Sequence, residues 1–317
     1  MPHSGITQPA RKPGNDHGDF TKSCTSRDST TGRESHMPSP SAGKGRRVSA
    51  SRRGPNPEGL KTLRKTVRVL ECFSLEEPRL SLTDIARKVG LPLSTTHRIL
   101  ATLRAVGLVD QEGDRDLYRL GIKLLELGSV VLTTNEVHRE ALPFIEELVR
   151  ETGETVHLGV LDGAQVVSIE KMDSPHGLAS HVTIGKGAPA YCTGVGKALL
   201  AFQPEAVVDE VCRLGLKAHT PNTITDPSKL KKELTQVLTQ GYAVDDKECQ
   251  PGVRCVAAPV RDHTGSVIAS ISISGPATRI PKERIPSLAT QVREVAGKLS
   301  LRLGYRPKAQ EHEQGTR

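Results

Sequence analysis

The sequence contains no tryptophan, and aromatic residues make up only 3% of its 317 positions. The hydrophobic share is 36%, which is low for a chain that folds along its whole length, so we expect part of it not to fold. No apolar run approaches the roughly 20 residues of a membrane-spanning helix, and the N-terminus lacks the apolar segment of a secretory signal. This composition predicts a soluble, cytoplasmic protein without a membrane partner.

The six cysteines form no C-x-x-C pair, and no tight Cys/His spacing occurs in the sequence. Without an export signal, reduced thiols are favoured over disulfides, and a zinc cluster is not expected. The sequence also lacks the G-x-G-x-x-G and Walker loops of nucleotide-dependent enzymes. We therefore predict neither a metal site nor a cofactor.

The net charge of +8 belongs to the first 130 residues. Residues 1–59 hold ten Lys or Arg against five Asp or Glu, and residues 60–130 hold twelve against nine. Residues 131–317 are balanced, with 22 of each sign. A basic end joined to a neutral remainder is expected if the basic end meets a polyanion such as DNA.

Both ends of the chain are predicted to be disordered tails, at residues 1–59 and 306–317. The first is rich in Ser, Pro, Gly and Arg and has no apolar periodicity, so it cannot bury enough apolar surface to offset its chain entropy. Its patches KGRR (44–47) and RR (52–53) would add nonspecific attraction to DNA. A plain solvated tail, or a true start at Met37, is the alternative interpretation.

Residues 60–121 have the pattern of a winged helix-turn-helix. Apolar residues recur at helical spacing from Leu60, and SLTDIARKVG (81–90) begins with a capping serine and ends with a glycine. Another helix follows Pro92, and LVDQEGDRDLYRLG (108–121) alternates around a charged turn as a β-hairpin does. Caps, turn, hairpin and local charge agree, which favours this fold over two ordinary amphipathic helices.

The second helix of this motif opens with small hydroxyl residues and one arginine, STTHR (94–98). Its inner stripe is predicted to be Thr96, Ile99, Leu100 and Leu103. The outward residues of its first turn would reach base edges in the major groove, where Arg98 suits a guanine or a phosphate. For His97, packing or a phosphate contact is favoured over base reading, and arginines of the wing suit the DNA backbone. The predicted DNA-binding set is Ser94, Thr95, Thr96, His97, Arg98, Arg115 and Arg119.

Residues 122–152 have apolar positions at helical spacing and are predicted to form linker helices. A long helix between a DNA reader and a second domain suits a dimer interface, and packing within its own chain is the open alternative. Residues 153–305 mix strands and helices in the manner of an α+β sensor domain. They include a hairpin at 155–172 with Asp162-Gly163 as its turn.

Three short segments of this domain carry polar residues suited to a ligand. A helix N-terminus with two glycines offers free N–H groups to an anion, and an aspartate lies near the end of an apolar strand. Two serines share one face of a later strand, and a cysteine of the preceding strand is placed to lie across from them. Each feature alone also suits an ordinary helix cap, a surface turn or solvated strand serines. The positions are Gly194, Val195, Asp245, Cys255, Ser272 and Ser274.

Two runs resemble the IclR-type bacterial transcriptional regulators: LTDIARKVGLPLSTTHRILATLRAVGLV (82–109), and GYAVDDKECQPGVRCVAAPVRD (241–262) followed by SISISGP (270–276). The resemblance covers about residues 60–305. It implies a winged helix-turn-helix, a linker helix and a GAF-like effector-binding domain, assembled as dimers or tetramers on double-stranded operator DNA. It also implies small carboxylate effectors, namely keto, sugar or aromatic acids, contacted at Gly194, Val195, Asp245, Cys255, Ser272 and Ser274.

The resemblance leads us to expect a regulator of a catabolic operon, acting as a repressor, although effector-driven release and recruitment are both physically open. The run PAYCTGVGKALLAF (189–202) is most similar to members that control sugar-acid catabolism. Asp245 is expected to accept a hydrogen bond from an effector hydroxyl, because an ionised carboxylate repels an anion. A small wall residue, Ala188, favours an effector larger than a two-carbon acid.

Two rival interpretations are weighed against this one. The first is a DNA-binding oligomer whose C-terminal domain binds no ligand. The second is an enzyme with Cys255 as nucleophile and His263 or His181 as base. A cysteine nucleophile needs a nearby base, and nothing in the sequence places a histidine beside this one, so we predict that the protein is not an enzyme.

Overall fold

The computed structural model of the protein describes residues 57–113, 116–177 and 182–307. The helices are α1 (Pro57–Leu70), α2 (Leu82–Val89), α3 (Leu93–Ala105), α4 (Lys123–Thr134), α5 (Glu136–Thr152), α6 (Gly194–Leu200), α7 (Glu205–Leu214), α8 (Pro227–Gln240) and α9 (Ile285–Arg302). The strands are β1 (Leu80–Ser81), β2 (Val109–Glu112), β3 (Leu117–Leu120), β4 (Thr155–Asp162), β5 (Gln165–Met172), β6 (Gly187–Pro189), β7 (Ala243–Asp246), β8 (Val253–Arg261) and β9 (Val267–Pro276). No helix in these ranges is long and apolar enough to cross a membrane.

The predicted tails lie almost entirely outside the described residues. Positions 1–56 and 308–317 belong to them, so their predicted disorder stays a prediction. The boundary at residue 59 is corrected, because α1 already begins at Pro57. Proline suits the first position of a helix, where the missing N–H would have no intrahelical partner.

The first folded part is a three-helix core with a small sheet, as the sequence predicts for a winged helix-turn-helix. Ser81 caps α2: its hydroxyl oxygen accepts from the Asp84 N–H at 3.1 Å and its O–H donates to Asp84 Oδ2 at 2.6 Å. Gly90 ends α2 in the left-handed region, at φ +66°, which glycine adopts without steric cost. Strands β2 and β3 form the predicted wing hairpin, and β1 pairs with the outer side of β3.

The linker consists of two helices with different surroundings. Asn135 separates them and caps α5, since its Oδ1 accepts from the His138 N–H at 3.0 Å. One face of α5 is buried against the C-terminal sheet, at Val137, Ala141, Ile145 and Leu148. Helix α4 has no buried residue, so within one chain it packs only weakly against the rest of the protein.

The C-terminal part is an antiparallel sheet between two helical layers, an α+β arrangement. In the described residues its strand order is β6-β5-β4-β9-β8-β7. One face packs on α5 and α9 in a core that includes Leu158, Ile271 and Ile273. The other face packs on α6, α7 and α8. Because side chains alternate along a strand, the neighbours of these core residues point to the α6 side, where the polar residues collect.

Candidate functional site

The N-terminal turn of α3 is an open polar surface. Ser94, His97 and Arg98 are exposed, and Thr95 is half-buried. The helix begins after Pro92 without a side-chain cap, so the N–H groups of its first turn are available to an anion. The guanidinium of Arg98 has no hydrogen-bond or ion-pair partner among the described residues. The surface therefore offers uncommitted donors where a helix-turn-helix meets DNA.

Thr96 does not belong to this surface, which corrects its inclusion in the predicted DNA-binding set. Its side chain is fully buried, and its hydroxyl donates to the Pro92 carbonyl oxygen at 3.1 Å. With Ile99, Leu100 and Leu103 it forms the buried stripe of α3, as the helical spacing predicts. A threonine suits this stripe because the helix backbone satisfies its hydroxyl.

Of the two wing arginines, one can be described. Arg119 lies on β3 with its side chain half exposed, 3.7 Å from Asp110 Oδ2 and 3.9 Å from Glu112 Oε1. Those long contacts leave the guanidinium able to turn towards a phosphate. Arg115 lies outside the described residues, so its DNA contact stays a prediction.

On the α6 side of the C-terminal sheet, the structure brings all six predicted effector-binding residues to one cavity. The cavity has a volume of about 210 Å³ and lies between the sheet, the start of α6 and the segment 182–188. The predicted wall residue Ala188 also lines it. The six residues come from three distant parts of the chain: Gly194, Val195, Asp245, Cys255, Ser272 and Ser274.

Strand register explains why these distant residues meet. Asp245 on β7 pairs with Cys255 on β8, and Cys255 pairs with Ser274 on β9. They form one row across the sheet, in which the Cys255 thiol donates to Ser274 Oγ at 3.2 Å. Two residues along, Ser272 is the register partner of Ala257 on β8 and of His157 on β4. The cavity floor is therefore two neighbouring rows of small and polar residues.

Helix α6 can approach this floor because it opens with glycines. A Cβ on Gly194 would lie 3.3 Å from the Cβ of Cys255 and 3.5 Å from the Cβ of Ala257, so the helix begins directly above β8. A Cβ on Gly196 would overlap the Ala190 carbonyl oxygen, which leaves no room for any side chain. Thr193 caps the helix, since its Oγ1 accepts from the Gly196 N–H at 3.1 Å.

Burial dominates the electrostatics of the cavity. It raises the pKa of Asp245 to about 7, although the Glu248 N–H donates to Asp245 Oδ1 at 2.7 Å and favours the ionised form. It also raises the pKa of the Cys255 thiol well above its ordinary value. Near neutral pH the cavity therefore holds a carboxyl group that is readily neutral and a thiol that stays protonated.

A buried lysine behind the cavity was not foreseen from the sequence. Lys197 on α6 is fully buried, with its Nζ 2.6 Å from Glu248 Oε1 and 2.9 Å from Glu233 Oε1. Burial opposes its charge, but the two carboxylates outweigh burial and raise its pKa. Because the Glu248 N–H also donates to Asp245, this cluster links α6 to the segment that carries the aspartate. The motif G-K-A-L-L carries no signal of this role, because it reads as an ordinary amphipathic helix.

The sequence reasoning also missed His157. This residue of β4 lines the cavity, is only 5% exposed, and has no hydrogen-bond partner at either ring nitrogen among the described residues. Its neighbours Val156 and Leu158 point into the opposite core. The sequence did carry a signal: this histidine interrupts an apolar strand and alternates with the core residues, so it lies on the other face of the strand.

At the mouth of the cavity lies another residue that was not predicted. Lys186 lines the cavity, and its Nζ is 3.3 Å from Glu76 Oε1, which belongs to the winged helix-turn-helix. Residues 183–186 also line a depression shared with Phe73, Leu75 and Arg119 of that domain. The segment that closes the cavity is thus the segment that faces the DNA-binding part.

In the described ranges, no group of three or more His, Cys, Asp or Glu side chains is arranged to hold a metal ion. Of the two histidines proposed for the enzymatic alternative, His263 does not line the cavity. His181 lies outside the described residues.

Two family models match the chain in this order. The IclR helix-turn-helix domain matches residues 62–113, and the bacterial transcriptional regulator IclR C-terminal domain matches residues 129–301. The chain belongs to the IclR family of bacterial transcriptional regulators. The resemblance that the sequence motifs indicate is thereby confirmed, with the DNA-binding surface in one matched region and the cavity in the other.

Other members of the IclR family match most of the described chain. The HTH-type transcriptional regulator KdgR of Escherichia coli (strain K12) is 37% identical over 250 residues, 78% of this chain and 95% of that one. The crystal structure of Thermotoga maritima IclR is similar with a TM-score of 0.62 and 35% identity, over 78% of this chain and 100% of that one. An IclR homologue from Microbacterium hydrocarbonoxydans, complexed with 4-hydroxybenzoate, is similar with a TM-score of 0.66 and 28% identity, over 76% and 98%.

Proposed function

We propose that this protein represses a catabolic operon and that a small carboxylic acid bound in the C-terminal cavity controls its affinity for operator DNA. One observation carries the proposal: residues from three distant segments converge on one buried, partly polar cavity in a chain that also presents an open helix-turn-helix surface. A small cavity with a few convergent polar groups is the usual form of a ligand site. The expected effector classes are keto, sugar and aromatic acids.

The carboxylate is proposed to bind where α6 begins. Gly194 and Val195 present backbone N–H groups that precede the first intrahelical hydrogen bonds, and the hydroxyls of Ser272 and Ser274 lie on the sheet below. Together these groups form a set of donors for an anionic oxygen. The 4-hydroxybenzoate complex of the Microbacterium homologue supports a carboxylic acid in a family member with this fold.

Asp245 is compatible with an anion because of its raised pKa. At about pH 7 the carboxyl is protonated in roughly half of the molecules, and the protonated form does not repel a carboxylate. Asp245 then offers an O–H donor or a carbonyl oxygen to an effector hydroxyl. This role extends the expectation that it only accepts a hydrogen bond.

On the DNA side, we infer that Ser94, Thr95 and Arg98 enter the major groove and that His97 and Arg119 contact the backbone. The exposed first turn of α3 and the uncommitted guanidinium of Arg98 support this assignment. An arginine that pairs with guanine contributes about 1–3 kcal/mol of discrimination. Backbone contacts give no such discrimination but make binding depend on salt.

We further propose that two chains pair through α1 and α4. Both helices expose several large apolar side chains in the single chain, and large exposed apolar patches mark interaction sites. A symmetric dimer would place two α3 helices for successive major-groove turns of a palindromic or repeated operator. The exposed residues are Leu63, Val67, Ile122, Leu125, Leu127, Val130 and Val131.

The two functions are proposed to communicate through Lys186. Because Lys186 lines the cavity, an effector that contacts its side chain would compete with Glu76 for it, which weakens one contact between the cavity and the DNA-binding domain. The pair is exposed, and exposed pairs contribute little each. We therefore expect it to be one of several coupled contacts.

We infer that the cavity does not catalyse a reaction. The raised pKa of the Cys255 thiol leaves little thiolate, and a thiol nucleophile reacts as thiolate. The pKa of His157, the histidine that lines the cavity, is lowered to about 4 by burial first and by Lys171 second. A base with that pKa takes a proton poorly near neutral pH.

A thermal-shift screen of the purified protein against keto, sugar and aromatic acids tests the proposal. We expect a rise in melting temperature with at least one acid, lost in Asp245→Ala and Ser272→Ala. The same screen on Arg98→Ala should give the wild-type shift, since that residue lies outside the cavity. Absence of any hit would favour the ligand-free DNA-binding oligomer.

A further inference from the structure

The imidazole of His157 is a buried polar group with nothing to bind among the described residues. Its side chain is 5% exposed, and neither Nδ1 nor Nε2 has a hydrogen-bond partner there. Buried polar groups in proteins are almost always hydrogen-bonded, because leaving one unpaired costs free energy. His138, for comparison, is paired: its Nε2 lies 2.8 Å from Glu170 Oε2.

The register of the sheet places His157 on the β4 side of the cavity floor, whereas Gly194 lies on the β8 side. Gly194 lies above β8, and the strands continue in the order β8, β9, β4. Neighbouring strands are about 4.8 Å apart, so β4 lies roughly 10 Å from β8 across the sheet, and Ser272 of β9 lies between them, directly beside His157. A ligand that contacts both the Gly194 N–H and the imidazole must carry two polar groups.

The protonation state of the imidazole limits which ligand group can bind His157. Burial first, and the charge of Lys171 second, lower the pKa of His157 to about 4, so the imidazole is neutral near pH 7. A neutral imidazole has one N–H donor and one nitrogen acceptor. A hydroxyl group can use either nitrogen, whereas a second carboxylate can only accept from the N–H and gains no charge attraction from the neutral ring.

We propose that His157 is a second anchoring residue of the cavity and binds a hydroxyl group of an effector whose carboxylate lies at the start of α6. The effector class is therefore a hydroxycarboxylic acid whose hydroxyl lies on the β4 side of the cavity, such as a sugar acid or a phenolic acid. This inference rests on the proposed function, since it presupposes that an acid occupies the cavity.

Matched acids with and without the distal hydroxyl test the inference. The probes are 4-hydroxybenzoate against benzoate and D-gluconate against 6-deoxy-D-gluconate, and the measurement is the dissociation constant by isothermal titration calorimetry. For at least one pair, the wild type should bind the hydroxylated member about tenfold more tightly, the effect of one well-formed hydrogen bond. His157→Leu should bind both members equally, and His157→Gln should keep part of the preference.

The control variant is His138→Gln, which removes a half-buried histidine that already has a partner and lies outside the cavity lining. It should keep the full hydroxyl preference. A second readout is the melting temperature without ligand, which His157→Leu should leave unchanged or raise, because an unpaired polar group is replaced by an apolar one.

Three results would overturn the inference. A preference that survives in His157→Leu would show that the hydroxyl binds elsewhere. Equal loss of both members of a pair would show that His157 only supports the fold. Acids that bind the wild type with no hydroxyl preference would remove the need for a second anchor. Failure of the proposed function looks different, because then no acid binds the wild type at all.

Discussion

The first turn of α3 and the cavity under α6 both collect polar residues, but the two sites are built differently. Ser94, Thr95 and Arg98 follow one another within one helical turn and point outward. Asp245, Cys255 and Ser274 are up to 29 residues apart in sequence and meet only through strand register. Exposed side chains at the first site can hydrogen-bond to water and need no partner in the protein. At the second site, burial shifts the pKa values of Asp245 and Cys255. A surface that binds DNA can be recognised from one short motif, whereas a buried pocket cannot.

The largest expected effect concerns DNA binding alone. Arg98→Ala should weaken binding to an operator selected from random DNA by about 5- to 150-fold, the equivalent of about 1–3 kcal/mol for a guanine contact. The measurement is fluorescence anisotropy at fixed salt. Arg213→Ala, which removes an exposed arginine of α7, should change the affinity little. If Arg98→Ala also abolished acid binding, the two sites would not be separate.

The next largest effect is expected on the free energy of unfolding, through the close packing of α6. Gly196→Ala should lower the free energy of unfolding by about 1–3 kcal/mol, because its Cβ would collide with the Ala190 carbonyl. The matched control is Gly297→Ala in α9, where a Cβ meets nothing within 4 Å and helix propensity predicts a gain of up to about 1 kcal/mol. Urea unfolding measures both. Equal effects of the two changes would contradict the close approach of α6.

The raised pKa of Asp245 predicts how acid binding depends on pH. An anion in the cavity favours the protonated carboxyl, so binding takes up a proton once the pH exceeds about 7. Affinity should then fall by up to about tenfold per pH unit. Asp245→Asn keeps the Oδ1 acceptor for the Glu248 N–H but cannot ionise, so its affinity should be flat from pH 6 to 9. A wild-type slope in that variant would assign the titration to another group.

The smallest effect is expected at the contact between the two sites. Glu76→Gln removes the ion pair with Lys186 and should change, by no more than a few-fold, the factor by which an acid alters operator affinity. Operator titrations with and without acid measure this factor. Glu210→Gln, which changes an exposed carboxylate paired only with Arg213 of its own helix, should leave the factor unchanged, and an equal change there would remove Glu76 from the coupling.

Much of the fold follows from local signals in the sequence. Ser81, Gly90 and the wing hairpin are caps and turns whose chemistry lies within a few residues, so they could be predicted and are confirmed. The short strands β1 and β6 were missed because two or three residues carry no periodicity. Thr96 was assigned to two faces of α3 at once, and burial decides for the inner one.

The cavity shows where sequence reasoning stops. Its six predicted positions came from local features of the sequence, but their meeting in one site rested on a family resemblance, because spacing alone does not say which strands pair. His157 and Lys186 were missed for the same reason: an unpaired imidazole and a lysine at the mouth become significant only when their surroundings are known. The sequence carries no signal that Lys197 is buried, and only the packed structure shows its position between two carboxylates.

The most direct test of the central claim is a titration of the selected operator complex with the acid that gives the largest thermal shift. In the wild type, the acid should weaken operator binding, and in Ser272→Ala the operator affinity without acid should be unchanged while the response to acid is lost. An acid that binds the cavity but leaves operator affinity unaltered would contradict the account. So would an undiminished response in Ser272→Ala.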